Sequence, residues 1–204
     1  TKQLMEQFGI KVTFENGKLI KIAPQEYTAL EMDVESDWSG SSYWYEIAAL
    51  SDNAEIRLPR LYSNSVQGDS RIAELFKPLG VSTTFEGCDV VLKKVQEAIK
   101  HYDLSLVDQP DLAQTFVVTC CMLGTTFKFS GLGNLKIKET DRIAALIAEM
   151  AKLGYKVEEE EESEEEASDT FSVKTKTSDD FFKKLDSDIT TGLLLGYEKG
   201  LKSI

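Results

Sequence analysis

Three segments of the chain share one pattern of apolar and polar positions, in which a helix end is followed by glycine and then by a strand-forming run. These segments are Met5–Phe14, Leu75–Phe85 and Met150–Val157. A glycine at this position is typical of a helix that closes through left-handed backbone, and the run behind it favours a strand. Two preceding segments also match, because Arg71–Leu75 and Arg142–Leu146 both read Arg-Ile-Ala-x-Leu. The repetition predicts a chain built from copies of one unit.

Each unit is predicted to run strand, helix, strand, helix, strand, strand. The first full copy places these elements at Leu30–Glu35, Ser39–Leu50, Ala54–Leu58, Asp69–Leu79, Val81–Phe85 and Asp89–Lys93. In the second copy, five of the six elements are predicted, at Leu104–Val107, Pro110–Leu123, Thr126–Phe129, Thr140–Leu153 and Tyr155–Glu159. Helical spacing gives three of the helices an apolar face, formed by Tyr43, Ile47 and Leu50, by Ile72, Leu75, Phe76 and Leu79, and by Ile143, Leu146, Ile147 and Met150.

Three stretches lie outside these copies. Lys2–Phe8 and the Asn16-Gly17 hairpin resemble the end of an earlier copy, so at least one further unit is expected N-terminal to them. Glu158–Glu166 holds eight glutamates around one serine, a run that is typical of a solvated loop or strand edge. The residues from 171 to 204 fit the repeat poorly and receive no role.

Composition excludes several classes of protein. The 204 residues carry 23 Lys and Arg against 35 Asp and Glu, a formal charge of −12, with 42% hydrophobic residues. This is the composition of a folded globular protein of one large or two small domains. The acidic balance disfavours nucleic acids and anionic membranes as partners. No apolar run reaches the roughly 18 residues that a membrane helix needs, and no signal peptide is recognisable at Thr1–Ile10.

Cysteine and histidine content narrows the chemistry further. The three cysteines, Cys88, Cys120 and Cys121, cannot all pair, and the adjacent two are expected to be buried in a helix. A disulfide framework is therefore not expected, and the predicted location is the cytoplasm. His101 is the only histidine and has no further ligand at metal-binding spacing, so neither a metal nor a metal site is predicted.

The segment Gly131–Arg142 carries the strongest chemical signal. It leaves a predicted strand, passes through glycines and enters a helix whose start is expected near Glu139 or Thr140. Free N–H groups and the positive end of the dipole make a helix start suitable for an anion. The alternative is an ordinary surface helix start, with Thr140 as its cap.

Four side chains of this segment form a candidate binding set. Lys138 and Arg142 are four residues apart and Glu139 is three before Arg142, so they can share one end and one face of the helix. Asn134 lies on the loop, where its amide can donate and accept. Cations beside a carboxylate suit a site that holds a phosphorylated substrate while moving a proton.

A second candidate position is Asp111, in the run Asp108-Gln-Pro-Asp111 before an apolar helix. It is expected in the first helical turn, where the dipole favours the ionised carboxylate. It is either a reactive group or only a cap. For its repeat counterpart, Asp37, the cap is favoured, and Arg71 in the sister helix is expected to be an ordinary surface residue.

The run from Asn134 to Ala145 resembles the most specific signature of the 5-enolpyruvylshikimate-3-phosphate synthase family. Three further segments fall in order where that family has similar elements, namely Asp37–Tyr43, Val66–Asp69 and Asp108–Asp111. The resemblance covers about residues 1–157 and agrees with the repeat. It implies an α/β (α+β) fold of two lobes, each of three βαβαββ units, with the active site in the cleft between them. Residues 1–34 would end the first lobe, 35–170 would form repeats of the second lobe, and 171–204 would be a divergent tail.

The resemblance also implies an activity and the groups that perform it. The family transfers the enolpyruvyl group of phosphoenolpyruvate to the 5-hydroxyl of shikimate 3-phosphate, within the shikimate pathway of aromatic amino acid biosynthesis, without a cofactor. Asp111 would be the general base for the hydroxyl, and Glu139 would move the proton of the methylene carbon. Lys138 and Asn134 would contact shikimate 3-phosphate, and Arg142 would contact phosphoenolpyruvate.

The chain also departs from the family. The Asp-His-Arg motif of the family has no counterpart in this chain, because His101 is the only histidine and stands in another context. The residues of the first lobe are absent as well, so the missing lobe is an expected partner and the isolated chain is expected to fold without turnover. Two alternatives stay open: a non-catalytic repeat module that serves interactions, and the related enolpyruvyl transferase that acts on UDP-N-acetylglucosamine.

Overall fold

The computed structural model describes residues 1–161 and 171–176. It divides into two compact units, one covering Thr1–Gln96 and the other beginning at Glu97. The first unit contains α1 (Lys2–Gln7), β1 (Val12–Glu15), β2 (Leu19–Ile22), α2 (Trp38–Leu50), β3 (Glu55–Leu58), α3 (Ile72–Leu75), β4 (Val81–Glu86) and β5 (Asp89–Lys94). The second contains β6 (His101–Ser105), α4 (Ala113–Leu123), β7 (Thr126–Ser130), α5 (Arg142–Lys152), β8 (Lys156–Glu161) and β9 (Phe171–Lys176).

A short helix and a hairpin open the first unit, as the sequence predicts. Strands β1 and β2 pair antiparallel and are joined by three residues, 16–18, with Asn16 and Gly17 as the central residues of the turn Glu15–Lys18 at φ of 53° and 67°. Positive φ at both central positions is the backbone of the hairpin turn that Asn-Gly favours. Gly9 closes α1 at φ 81°, as Gly80 and Gly154 close later helical segments at 91° and 84°. The three glycines of the repeat therefore share one conformation.

The sheet of the first unit has the order β3-β5-β4, and both pairings are antiparallel. Its central strand supplies Val90 and Leu92, which are fully buried. Helix α2 packs on this sheet, where the Tyr45 hydroxyl lies 3.0 Å from Thr83 Oγ1. Burial raises the pKa of the Tyr45 phenol well above its usual value.

The predicted apolar face of α2 is wrong. Tyr43, Ile47 and Leu50 are exposed, whereas the buried side chains are Trp38, Ser41, Ser42, Tyr45, Ala48 and Ala49. This helix is apolar nearly all round, so periodicity alone cannot select the buried side. The buried face combines two aromatic side chains, Trp38 and Tyr45, with four small residues that let the helix approach the sheet closely.

Two other element predictions of the first copy need correction. Leu30–Glu35 is not a strand, because it pairs with no strand of the described residues. Its neighbour contacts are isolated hydrogen bonds, such as that from the Arg60 side chain to the Val34 carbonyl at 2.5 Å. The helix predicted over Asp69–Leu79 is divided into the 3₁₀ turn Gly68–Arg71, α3 and the 3₁₀ turn Lys77–Leu79. Pro78 has no N–H to continue the α-helical ladder.

The second unit contains all six elements of the repeat. Strands β6 and β7 are parallel and joined through α4, while β8 and β9 are antiparallel. Strand β9 lies beside β7, so the neighbours β7, β9 and β8 correspond to β3, β5 and β4 of the first unit. Phe171–Lys176 is therefore the sixth element of the second copy, a strand that the sequence analysis did not assign. It begins the segment 171–204, which received no role there. The remainder of that segment, and residues 162–170 of the acidic run, lie outside the described residues.

Aromatic side chains form the core of the second unit. Phe116 on α4 contacts Tyr102 and Phe129 edge-on, with ring centroids 6.1 Å and 5.9 Å away, and Phe127 stacks on Phe129 at 4.6 Å. Burial raises the pKa of Tyr102 to about 12. Cys120 and Cys121 are buried in α4, as predicted. Among the residues described, no helix has the length and apolar character to cross a bilayer.

Candidate active site at the ends of two parallel strands

The two loops with candidate residues leave the same edge of the β6-β7 sheet. Because these strands are parallel, the chain segments after Ser105 and after Ser130 start side by side. Leu106 N donates to the Ser130 carbonyl at 2.9 Å, which extends the ladder into the loops. The carboxyl ends of parallel strands are the usual place for ligand sites in such sheets.

Gly131 allows the two loops to approach each other. Its φ is 79°, and a Cβ at this position would lie 2.5 Å from the backbone N of Val107. An alanine there would meet backbone atoms, which cannot rotate away as a flexible side chain can. The close approach brings the segment that follows Gly131 next to the segment that leads to Asp111.

We expect Gly131→Ala to reduce the free energy of unfolding by about 1–3 kcal/mol more than Gly124→Ala, the usual cost of forcing extra atoms into a packed region. Gly124 is the matched control, since it lies in the same unit with φ of 68°, and a Cβ added to it would have no heavy atom within 4 Å. Urea unfolding of both variants provides the comparison. Equal losses would show that the loops can separate without cost.

Asp111 lies in the 3₁₀ turn Pro110–Leu112 that leads into α4. Its Oδ1 atom is 3.0 Å from Nη1 of Arg142 and 3.3 Å from Nζ of Lys138. The buried side chain of Leu112 anchors this turn, while the carboxylate is exposed. The structure therefore brings together the two cations and the carboxylate that sequence analysis placed in separate segments.

Glu139 completes the cluster from the other side of Arg142. Its Oε1 accepts from Nε and Nη2 of Arg142 at 2.9 Å and 2.7 Å. Its own backbone N–H, and then the Arg142 guanidinium, hold the pKa of this carboxyl below its usual range. The bond to Glu139 also raises the pKa of Arg142. The ionised Glu139 thus stabilises the fold above the ordinary glutamate pKa, and that contribution is lost as pH falls through the lowered value.

The helix entry differs from the prediction in its first residue, which is Arg142, and in its cap. Asp141, and not Thr140, caps α5, because its carboxylate accepts from Ala144 N at 3.0 Å. Lys138 stands before the helix in extended backbone, and only Arg142 belongs to it. Asn134 is exposed in the 3₁₀ turn Gly133–Ile137 and makes no side-chain hydrogen bond to a described residue.

The corresponding place in the first unit is occupied by internal contacts. Asp37 caps α2 by accepting from Ser39 N at 2.9 Å, as predicted. Gln67 Oε1 accepts from Trp38 N at 2.9 Å, and Asp69 accepts from the Ser39 hydroxyl at 2.5 Å. Sequence analysis missed this contact between two loops, although both segments carried family-like motifs. The polar groups here bind one another and join α2 to the following loop.

No group of three or more His, Cys, Asp or Glu side chains suited to a metal occurs within residues 1–161 and 171–176. The cluster of the second unit instead pairs two cations with two carboxylates, in the order Glu139, Arg142, Asp111, Lys138. An anionic ligand can bind to this cluster by replacing a carboxylate as the partner of one of the cations, since charge-assisted hydrogen bonds to phosphate and carboxylate are comparable in strength.

Comparison with known proteins supports one family. A family model described as EPSP synthase (3-phosphoshikimate 1-carboxyvinyltransferase) matches residues 1–181. A protein of Bacteroides fragilis named 3-phosphoshikimate 1-carboxyvinyltransferase is 51% identical over 163 residues, which are 80% of this chain and 40% of that protein. Proteins of the same name from Neisseria meningitidis and Methanocaldococcus jannaschii are 36% and 31% identical, over 80% and 78% of this chain and 38% and 37% of their own lengths.

The chain spans about two fifths of the length of these curated relatives. The family match covers most of the chain and extends over both units, including the clustered side chains of the second. The α/β architecture agrees with it. The chain belongs to the EPSP synthase (3-phosphoshikimate 1-carboxyvinyltransferase) family.

Proposed function

We propose that this chain forms part of a 3-phosphoshikimate 1-carboxyvinyltransferase, which transfers the enolpyruvyl group of phosphoenolpyruvate to the 5-hydroxyl of shikimate 3-phosphate. The observation that carries the proposal is the contact of Asp111 with both Lys138 and Arg142, within a family match that covers residues 1–181. The remainder of the enzyme, including the first lobe, would supply the other side of the cleft in the cytoplasm.

Asp111 is proposed as the general base. The 5-hydroxyl oxygen attacks C2 of phosphoenolpyruvate while Asp111 accepts the hydroxyl proton, and the C3 methylene gains a proton to give a tetrahedral intermediate. Loss of a C3 proton then re-forms the double bond as the C2–O bond to phosphate breaks. The exposed carboxylate of Asp111 can accept this proton while the anionic substrate replaces it as the partner of Lys138 and Arg142.

Glu139 is proposed to move the proton of the C3 methylene. In the ligand-free arrangement Arg142 and the Glu139 backbone N–H keep its pKa low, so the carboxylate is ionised at neutral pH. Transfer of the Arg142 guanidinium to phosphoenolpyruvate would remove one of these contacts and raise the proton affinity of Glu139. Exclusion of water on closure of the cleft would raise it further.

Lys138 and Asn134 are proposed to bind shikimate 3-phosphate, and Arg142 to bind phosphoenolpyruvate. The exposed Asn134 amide has no competing side-chain hydrogen bond among the described residues. Both substrates are multiply anionic, and the formal charge of the chain is −12, so binding requires a local group of cations. Fixed cations also stabilise the negative charge that concentrates in the intermediate.

The test is a two-dimensional amide NMR titration of this chain with shikimate 3-phosphate, which detects the weak binding expected of half a site. Saturable shifts at Asn134–Arg142 and Asp111 would support the proposal. A well-folded spectrum without shifts at millimolar ligand would contradict a substrate site in this chain and favour a non-catalytic repeat module. Competition by UDP-N-acetylglucosamine would instead favour the related sugar transferase.

In the same titration we expect Lys138→Ala to weaken the affinity for shikimate 3-phosphate by about 1.5–3 kcal/mol, the scale of a hydrogen bond to a charged group. Lys152→Ala is the matched control, since Lys152 is an exposed lysine that pairs with Glu149 on α5. Equal weakening by both variants would mean that total charge, and not the position of Lys138, governs binding.

A further inference from the structure

Lys136 connects the candidate site to strand β8. It lies in the 3₁₀ turn Gly133–Ile137, between Asn134 and Lys138, and its Nζ is 2.5 Å from Oε1 of Glu159. The two side chains are only 34% and 26% exposed. This contact differs from the surface pair of Lys152 and Glu149 on α5, whose side chains are 68% and 66% exposed.

Glu159 depends on Lys136 to compensate its negative charge. Its Oε1 is shielded from solvent and accepts no hydrogen bond in the described structure, so the Lys136 ammonium is its charge partner through an ion-pair contact. A partly buried carboxylate that loses its cation keeps the desolvation cost without compensation. The pair therefore resists separation more strongly than an exposed pair does.

The ion pair acts on the loop at a defined point. The neighbouring side chain of Leu135 is buried and anchors the turn in the protein interior, whereas Ile137 is 84% exposed. Lys138 follows directly in extended backbone and reaches Asp111. The turn is thus fixed at Leu135 and Lys136, two residues before Lys138, which contacts the proposed general base.

We propose that the ion pair of Lys136 and Glu159 is a positioning device, which holds the turn so that Asn134 and Lys138 face the substrate. Neither Lys136 nor Glu159 touches the substrate in this proposal, which rests on the proposed function for the identity of the ligand. It also gives a role to Glu159, which belongs to the glutamate run Glu158–Glu166. The sequence analysis interpreted that run only as a solvated loop or strand edge.

The decisive variant is Glu159→Gln, because positioning and simple electrostatics predict opposite signs. Removal of one negative charge near a cationic site strengthens the binding of an anion by Coulomb attraction alone. Loss of positioning weakens it. We expect Glu159→Gln to weaken the binding of shikimate 3-phosphate about tenfold, within the range of coupling between contacting residues. Glu149→Gln, with the same change of charge on an exposed carboxylate, is expected to leave it unchanged.

Rescue is tested with the exchange of the two charges. Lys136→Glu combined with Glu159→Lys restores the ion pair in reverse and is expected to recover most of the affinity that either single substitution loses. Binding by Glu159→Gln that equals or exceeds that of the parent would overturn the proposal. So would an exchange variant that binds no better than the single variants.

A ligand-free measurement separates this proposal from the proposed function. Amide hydrogen exchange at Leu135 and Lys138, relative to the middle of α5, reports how well the turn is held. We expect faster exchange there in Glu159→Gln and not in Glu149→Gln. If the parent chain binds no shikimate 3-phosphate, the proposed function fails, and exchange alone decides whether the pair holds the turn. Unchanged exchange in Glu159→Gln would overturn the proposal in either case.

Discussion

Asp111→Asn is expected to lower kcat by about 10²–10⁴-fold, the usual contribution of a general base. The suitable protein is a full-length chimera, in which this chain replaces the matched two fifths of the Bacteroides fragilis relative. Asparagine keeps the shape of the side chain but cannot accept the hydroxyl proton. It also releases Lys138 and Arg142 from an anion, so the KM for shikimate 3-phosphate is not expected to rise. A large fall in kcat at unchanged or lower KM distinguishes a base from a binding residue.

Asp108→Asn is the control for this experiment. Asp108 is an exposed aspartate of the same loop, and its substitution changes the charge of the protein equally. It is expected to leave kcat within a factor of about two, as for a surface change away from the reacting atoms. Equal kcat for Asp111→Asn and the parent chimera would remove Asp111 from the chemistry. A folded chimera that never turns over would contradict the proposed function itself.

Phe116→Ala is expected to reduce the free energy of unfolding by about 3–5 kcal/mol, because it deletes a fully buried ring. The ring contacts Tyr102 and Phe129 edge-on and has no exposed surface. Its loss leaves a cavity that three surrounding elements, β6, β7 and α4, cannot fill without moving. Since α4 begins directly after the turn with Asp111, the same change is expected to disturb the site.

Urea unfolding followed by circular dichroism measures this loss. Phe14→Ala is the matched control, because Phe14 is 52% exposed on the hairpin and its truncation is expected to cost less than about 1 kcal/mol. A loss below about 1 kcal/mol for Phe116→Ala would mean that the aromatic cluster relaxes freely. The packing described for the second unit would then not determine its stability.

Local signals in the sequence predicted the local features of the structure. Gly9, Gly80 and Gly154 adopt the left-handed backbone that their positions after helices require, because few other residues adopt it at low cost. The hairpin at Asn16 follows from the same preference. The sequence also selected Asp111 and Arg142 as candidates, because each was expected near the start of a helix, and their roles stay predictions.

Features that depend on distant partners were not predicted. Leu30–Glu35 alternates like a strand, but a strand also needs a neighbour to pair with, and none is formed along it within the described residues. Conversely, Phe171–Lys176 becomes a strand because β8 and β7 lie beside it. The contact of Lys136 with Glu159 joins residues 23 positions apart in sequence, and no local pattern marks it.

The two tryptophans of the sequence both lie on α2, with Trp38 fully buried and Trp44 half exposed. Tryptophan emission therefore reports on the first unit alone, while the far-ultraviolet dichroism signal samples both units. Denaturation curves recorded by the two signals would coincide if the units melt as one cooperative block and would diverge if each melts by itself. The placement of these two indoles makes the thermodynamic coupling between the units measurable without any label.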